Sequence, residues 1–141
     1  NAPLSLLRNW MRNIRCTFLD RGDLKKGMKT ILDNIALLKS GISVCVFPEG
    51  TRNRTSASLL EFHDGSLKMA EKSGCPIVPM AINNSGAIFE DHLPKIVKSH
   101  VVIEYCDPIY MEDLTKEEKR FIGKRVADII VTHYEKNKEL V

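Results

Sequence analysis

Long apolar runs are missing from this chain. No stretch approaches the ~18–20 apolar residues that a membrane span requires, and the longest, Val44 to Phe47 with its neighbours, has the size of a strand. Asn1 opens no secretory leader, and without an initiator Met the true start is expected upstream. Aromatic residues are sparse, with one Trp, three Tyr and five Phe, and basic and acidic residues are interspersed. That composition provides neither a stacking platform nor a basic stripe, so nucleic acid is not an expected partner. The net charge is only +3. Such a slight basic excess suits an anionic substrate or an anionic lipid surface equally well. The glycine-rich phosphate loops of nucleotide-binding domains, G-x-G-x-x-G and G-x-x-x-x-G-K-[ST], are absent. The four cysteines, Cys16, Cys45, Cys75 and Cys106, form no C-x-x-C pair and have no histidine at zinc spacing. Neither a metal nor a cofactor is expected, and buried reduced thiols are the better reading.

What is present is an ordinary globular composition. Hydrophobic residues make up 43% and charged residues 28% of 141 positions, enough for one domain with its own core. Apolar residues at Leu24, Met28, Ile31, Leu32, Ile35 and Leu38 have helical spacing, with Asp23 as N-cap and Gly41 as the stop. Ile42 to Phe47 is a nearly continuous, β-branched run that reads as a central strand buried on both faces. A short helix is expected from Ser66 to Ser73, ended by Gly74. A second strand is expected over Ile77 to Ile82, where Pro79 forecasts a bulge or an edge. His100 to Tyr105 is a third strand, and Thr17 to Asp20 a further short one. Thr115 to Glu118 is a capping box that starts a long last helix with Phe121, Ile122, Val126, Ile129, Ile130 and Tyr134 on its apolar face. This alternation predicts an α/β fold with a mostly parallel sheet covered by helices. At the start of the chain, Leu7, Trp10, Met11 and Ile14 share one helical face, and Arg8, Arg12 and Arg15 the other. Such a helix either lies on an anionic membrane or packs on the sheet as a surface helix.

Open α/β sheets bind ligands beyond the carboxyl ends of their strands. The peptide there is Phe47-Pro48-Glu49-Gly50-Thr51-Arg52. Pro48 fixes a turn, Gly50 lets the backbone approach a ligand, and the Arg52 guanidinium offers a planar fork of donors for a phosphate or carboxylate. Glu49 either orients Arg52 or accepts from a substrate hydroxyl. The competing reading is a tight turn with a local Glu49–Arg52 ion pair. A second Asp-Arg-Gly sequence, Asp20-Arg21-Gly22, follows another short apolar run. If the strands are parallel, Arg21 and Arg52 meet at one sheet edge and make an anion site. Otherwise Arg21 pairs with Asp20 or Asp23.

The peptide from Phe47 to Arg52 resembles the signature block of the glycerolipid acyltransferases, the 1-acylglycerol-3-phosphate acyltransferase family. Phe18-Leu19-Asp20-Arg21 resembles the preceding block of that family, Val78-Pro79 the following apolar block, and Val101 to Ile109 its late strand. Phe62 and Gly65 match the pattern just after the signature. The chain departs from the family in carrying Arg15 where Gly is common and His63 where Lys is common. The family's catalytic block is His, four residues, then Asp. Five positions after His63, His92, His100 and His133 stand Lys68, Val97, Tyr105 and Lys138, so that block is absent here. The expectation is therefore a single acyltransferase domain over residues 1–141 lacking the N-terminal part that carries the block, with no catalytic residue in this chain.

The resemblance implies transfer of an acyl group from a thioester on coenzyme A or acyl carrier protein to the free hydroxyl of lysophosphatidic acid, in phospholipid biosynthesis on the cytoplasmic side of a membrane. The substrate-binding residues it implies are Arg21 and Arg52 on the phosphate and Glu49, Gly50 and Thr51 around the glycerol. The alternative is a noncatalytic phosphate- or lipid-binding module that keeps the anion site without a base.

Overall fold

A computed structural model describes residues 9–17, 24–51, 53 and 59–141. The chain divides into two compact units, Asn1–Val44 and Cys45–Val141.

In the first unit, residues 9–13 are helical. The chain leaves this helix through Arg15 at φ 57°, with Arg15 N–H donating to Arg12 C=O at 3.0 Å and Cys16 N–H to Met11 C=O at 2.8 Å. That bond pair is a Schellman closure, whose left-handed position usually holds glycine. Helix α1, Leu24–Lys39, forms as its spacing predicts. It buries Asn34 and Ile35, and Asn34 and the Thr17 hydroxyl hydrogen-bond each other at 3.2–3.3 Å. A second Schellman closure ends α1: Gly41, at φ 85°, donates to Leu38 C=O, and Ile42 N–H to Leu37 C=O. The expected Asp23 cap and most of the strand from Thr17 to Asp20 lie outside the described residues.

In the second unit, α2 (Asp64–Ser73) is closed by Gly74 at φ 75°. Strand β1 (Met80–Asn83) pairs with β2 (Val102–Tyr105). Thr115 and Glu118 form the expected capping box on α3 (Lys116–Arg120), and α4 (Ile122–Asn137) follows after a break at Phe121. Leu67 and Ala70 of α2, Ile109 and Met111, and Ile122 and Val126 of α4 make the core, with Phe62, Ile77, Leu114, Ile129 and Ile130 packed against it. Ala81, with no exposed surface, and Asn83, at 1%, form the sheet's inner face against α4. Asn83 Nδ2 donates to Tyr134 C=O at 2.8 Å, and Asn137 Nδ2 to Glu104 Oε2 at 2.7 Å. His133 Nδ1 stands 3.0 Å from Glu104 Oε1, within ion-pair distance.

The expected mostly parallel sheet is corrected in two respects. The strands β1 and β2 run antiparallel, with Met80 opposite Tyr105 and Ile82 opposite Ile103, and an antiparallel bridge joins Ile77 to Ile109. The residues from Ile42 to Phe47 carry no strand pairing among the described residues, and Phe47 is 73% exposed. An apolar β-branched run records a demand for burial. Its hydrogen bonds come from a neighbouring strand, whose place in the sequence the run does not specify, and the boundary between the two units falls inside this run. The strand expected over Ile77 to Ile82 begins only at Met80: Pro79 has no N–H to give to a ladder, and its carbonyl accepts from Cys106 N–H at 2.9 Å just before β1.

Candidate functional site

The signature peptide lies at the start of the second unit and is built as a turn. Pro48, whose ring holds φ near −65°, occupies the first central position. Gly50 N–H donates back to Phe47 C=O at 2.9 Å, and Gly50 itself sits at φ 62°. A side chain there would be strained, so glycine is required by conformation.

The two ends of the following loop are tied together. Pro48 C=O accepts from His63 N–H at 2.9 Å, and Glu49 Oε2 accepts from Leu60 N–H at 2.9 Å. One bond uses the backbone before α2 and the other uses the signature carboxylate, so residues 49–60 are closed at the base. Phe62, between the two anchors, packs on the core. The first turn of α2 is thereby held one hydrogen bond away from the signature turn. The His63 side chain makes no capping bond to that helix; its carbonyl instead accepts from Ser66 N–H and Ser66 Oγ.

Of the residues expected at the site, Glu49 and Gly50 are half-buried in this turn and Thr51 is exposed beside them. Arg21 and Arg52 lie outside the described residues, and so does any pairing of Arg52 with Glu49. The carboxylate's bond to Leu60 N–H is a task the sequence reading missed, because a backbone donor eleven positions away leaves no trace in residue identity. Leu60 and His63 were missed as anchors for the same reason. Gly65 plays no steric part among the described residues, since a Cβ there would meet nothing within 4 Å.

A profile of the acyltransferase family matches residues 2–83. The chain belongs to the acyltransferase family. The 1-acyl-sn-glycerol-3-phosphate acyltransferase of Saccharomyces cerevisiae is 30% identical over 118 residues, 81% of this chain and 38% of that protein. A probable 1-acyl-sn-glycerol-3-phosphate acyltransferase of Mycoplasma pneumoniae is 36% identical over 88 residues, 60% of this chain and 33% of that protein. The crystal structure of the 1-acyl-sn-glycerophosphate acyltransferase PlsC from Thermotoga maritima matches with a TM-score of 0.66 at 26% identity, over 77% of this chain and 46% of that one. The chain thus spans less than half the length of these relatives.

Proposed function

We propose that this chain is the acceptor-binding part of an enzyme that moves an acyl group from a thioester, on coenzyme A or acyl carrier protein, to the free hydroxyl of lysophosphatidic acid. The observation that carries the reading is the stapled turn from Phe47 to Thr51: a left-handed glycine, a carboxylate fixed by Leu60 N–H, and the start of α2 drawn in by the bond from His63 N–H to Pro48 C=O. A helix start carries partial positive charge, which favours a phosphate nearby. In this reading Arg52 and Arg21 grip the phosphomonoester through bidentate hydrogen bonds. Gly50 and Thr51 shape the glycerol site, and Glu49 keeps the loop at the spacing the glycerol needs. The base that deprotonates the acceptor hydroxyl is the histidine of a His-x4-Asp block, which no histidine in this chain satisfies. We place the reaction at the cytoplasmic side of a membrane, where a lysophospholipid resides. Among the described residues no helix is long and apolar enough to cross it.

The test is Arg52→Lys in a protein that joins this chain to a His-x4-Asp block. A lysine keeps the charge and loses the fork. One lost charge-assisted hydrogen bond costs about 1.5–3 kcal/mol, so kcat/KM for lysophosphatidic acid is expected to fall roughly tenfold to a hundredfold. Thioester binding and melting temperature should stay level. Wild-type acceptor kinetics in that variant would falsify the phosphate grip. Tight lysophosphatidic acid binding by the joined protein without turnover would favour the noncatalytic lipid-binding alternative.

A further inference from the structure

The long connection between β1 and β2 is ordered from within. Asn84 Nδ2 donates to His100 C=O at 2.9 Å, closing its base. Val97 N–H donates to Ile88 C=O at 2.9 Å, and the Ser99 hydroxyl to Ala87 C=O at 2.9 Å. Two short 3-10 turns, Gly86–Ile88 and Glu90–His92, shape the outgoing limb. The interior of the loop is thus occupied by its own polar backbone bonds, as in a compact Ω-type loop, and its apolar side chains are left outside. Ile88, Phe89, Leu93, Ile96 and Val97 are all exposed, Leu93 by 61% and Ile96 by 79%; Ile96 is the most exposed large apolar side chain among the described residues.

A cluster of that kind on an internally bonded loop marks a contact surface. The charges beside it identify the partner. Lys95 and Lys98 flank Ile96 and Val97, and neither has an ion pair among the described residues. The loop's two acids, Glu90 and Asp91, equal the lysines in number but stand on the opposite limb: Glu90 is engaged in an interaction of its own, and the Asp91 carboxylate is turned onto Gly86, 3.1 Å from where a Cβ would stand. Apolar tips bracketed by lysines match the depth profile of an anionic bilayer, where acyl chains take the tips and the ammonium groups reach phosphates at headgroup level.

We propose that the loop of residues 84–100 is a membrane-docking element that places Leu93 and Ile96 in the acyl layer of an anionic bilayer, with Lys95 and Lys98 at its headgroups. This rests on the reading that the protein works on a membrane lipid, and it is separate from the basic helix at the start of the chain.

The test uses the full chain with vesicles of phosphatidylcholine alone or with phosphatidylglycerol added. In a Trp10→Phe background, Ile96→Trp reports the loop. Its emission is expected to shift to the blue and to be quenched by lipids brominated on their acyl chains, with the anionic vesicles above all. Leu93→Asp should weaken co-sedimentation with those vesicles about tenfold. Lys95→Gln with Lys98→Gln should weaken it roughly twenty-fivefold and remove the preference for anionic lipid. Far-UV circular dichroism checks that each variant is folded. An unshifted, unquenched indole in vesicle-bound protein overturns the proposal, as does absence of vesicle binding. Loss of self-association in Leu93→Asp with vesicle binding unchanged also overturns it, in favour of contact with a second copy. Binding of a short-chain, water-soluble lysophosphatidic acid is measured on the same variants. Its loss in every protein, wild type included, strikes the acceptor reading, whereas its retention beside failed docking strikes the loop alone.

Discussion

Arg15 occupies a left-handed position that the two helix-ending glycines, Gly41 and Gly74, fill without strain. The backbone geometry at Arg15 is the one a glycine adopts without strain. A side chain there costs roughly 1–2 kcal/mol. Arg15→Gly is expected to raise stability by about 1 kcal/mol, after the added freedom of glycine in the unfolded chain is offset. A urea titration that shows no gain, or a loss, would contradict this. At Glu49 the question is charge against acceptor. Glu49→Gln keeps an oxygen for Leu60 N–H, whereas Glu49→Ala leaves that donor without its partner. The alanine variant is expected to lose about 1 kcal/mol of stability and the glutamine variant less. Equal losses would show that the bond to Leu60 does not hold the loop.

Among the elements, α4 is held to the sheet by polar contacts as well as by packing. Asn83 and Asn137 are almost wholly buried, and each donates across the interface between α4 and the sheet. Asn83→Ala removes the donor to Tyr134 C=O and is expected to cost about 1–3 kcal/mol, because that carbonyl is left without its partner. Glu104 receives the other contact. The Asn137 hydrogen bond, and after it His133, hold the Glu104 carboxyl below its ordinary value of 4.5. Glu118 is lowered likewise, by the backbone N–H and then the hydroxyl of Thr115 in the capping box. A carboxyl that binds its proton more weakly when folded stabilises the fold above the unfolded value, and that contribution is lost as pH falls through the folded one. Urea midpoints are therefore expected to drop between about pH 6 and about pH 3, and to drop less in Glu104→Gln and in Glu118→Gln. An equal drop in both variants and wild type would assign the acid sensitivity to other carboxylates.

At the scale of the whole molecule, the chain holds a signature turn and a core but no His-x4-Asp pair. The 141-residue chain by itself is therefore expected to leave lysophosphatidic acid and an acyl thioester unreacted. The general base alone is worth about 10²–10⁴-fold, and positioning yields rate only when the reacting group is present. Release of free thiol from the thioester well above a boiled control would show that another group serves as base.

Local chemistry was legible in the sequence wherever the deciding interaction spans a few residues. Gly41 and Gly74 end their helices, Thr115 and Glu118 cap theirs, and the peptide from Phe47 to Gly50 turns, because propensity, capping and left-handed glycines act over three or four positions. The peptide from Phe47 to Arg52 also announced the family, since a block of special residues survives in the linear code. The partners of strands were not legible. The antiparallel pairing of β1 with β2, and the lack of a ladder at Ile42 to Phe47 among the described residues, depend on which edges meet in three dimensions, and an apolar run carries no address. The same holds for the Leu60 N–H that fixes Glu49, and for the bonds from Asn83 to Tyr134 and from Asn137 to Glu104. A backbone donor or acceptor is the same group at every residue but proline, so only the tertiary fold decides which one a side chain finds.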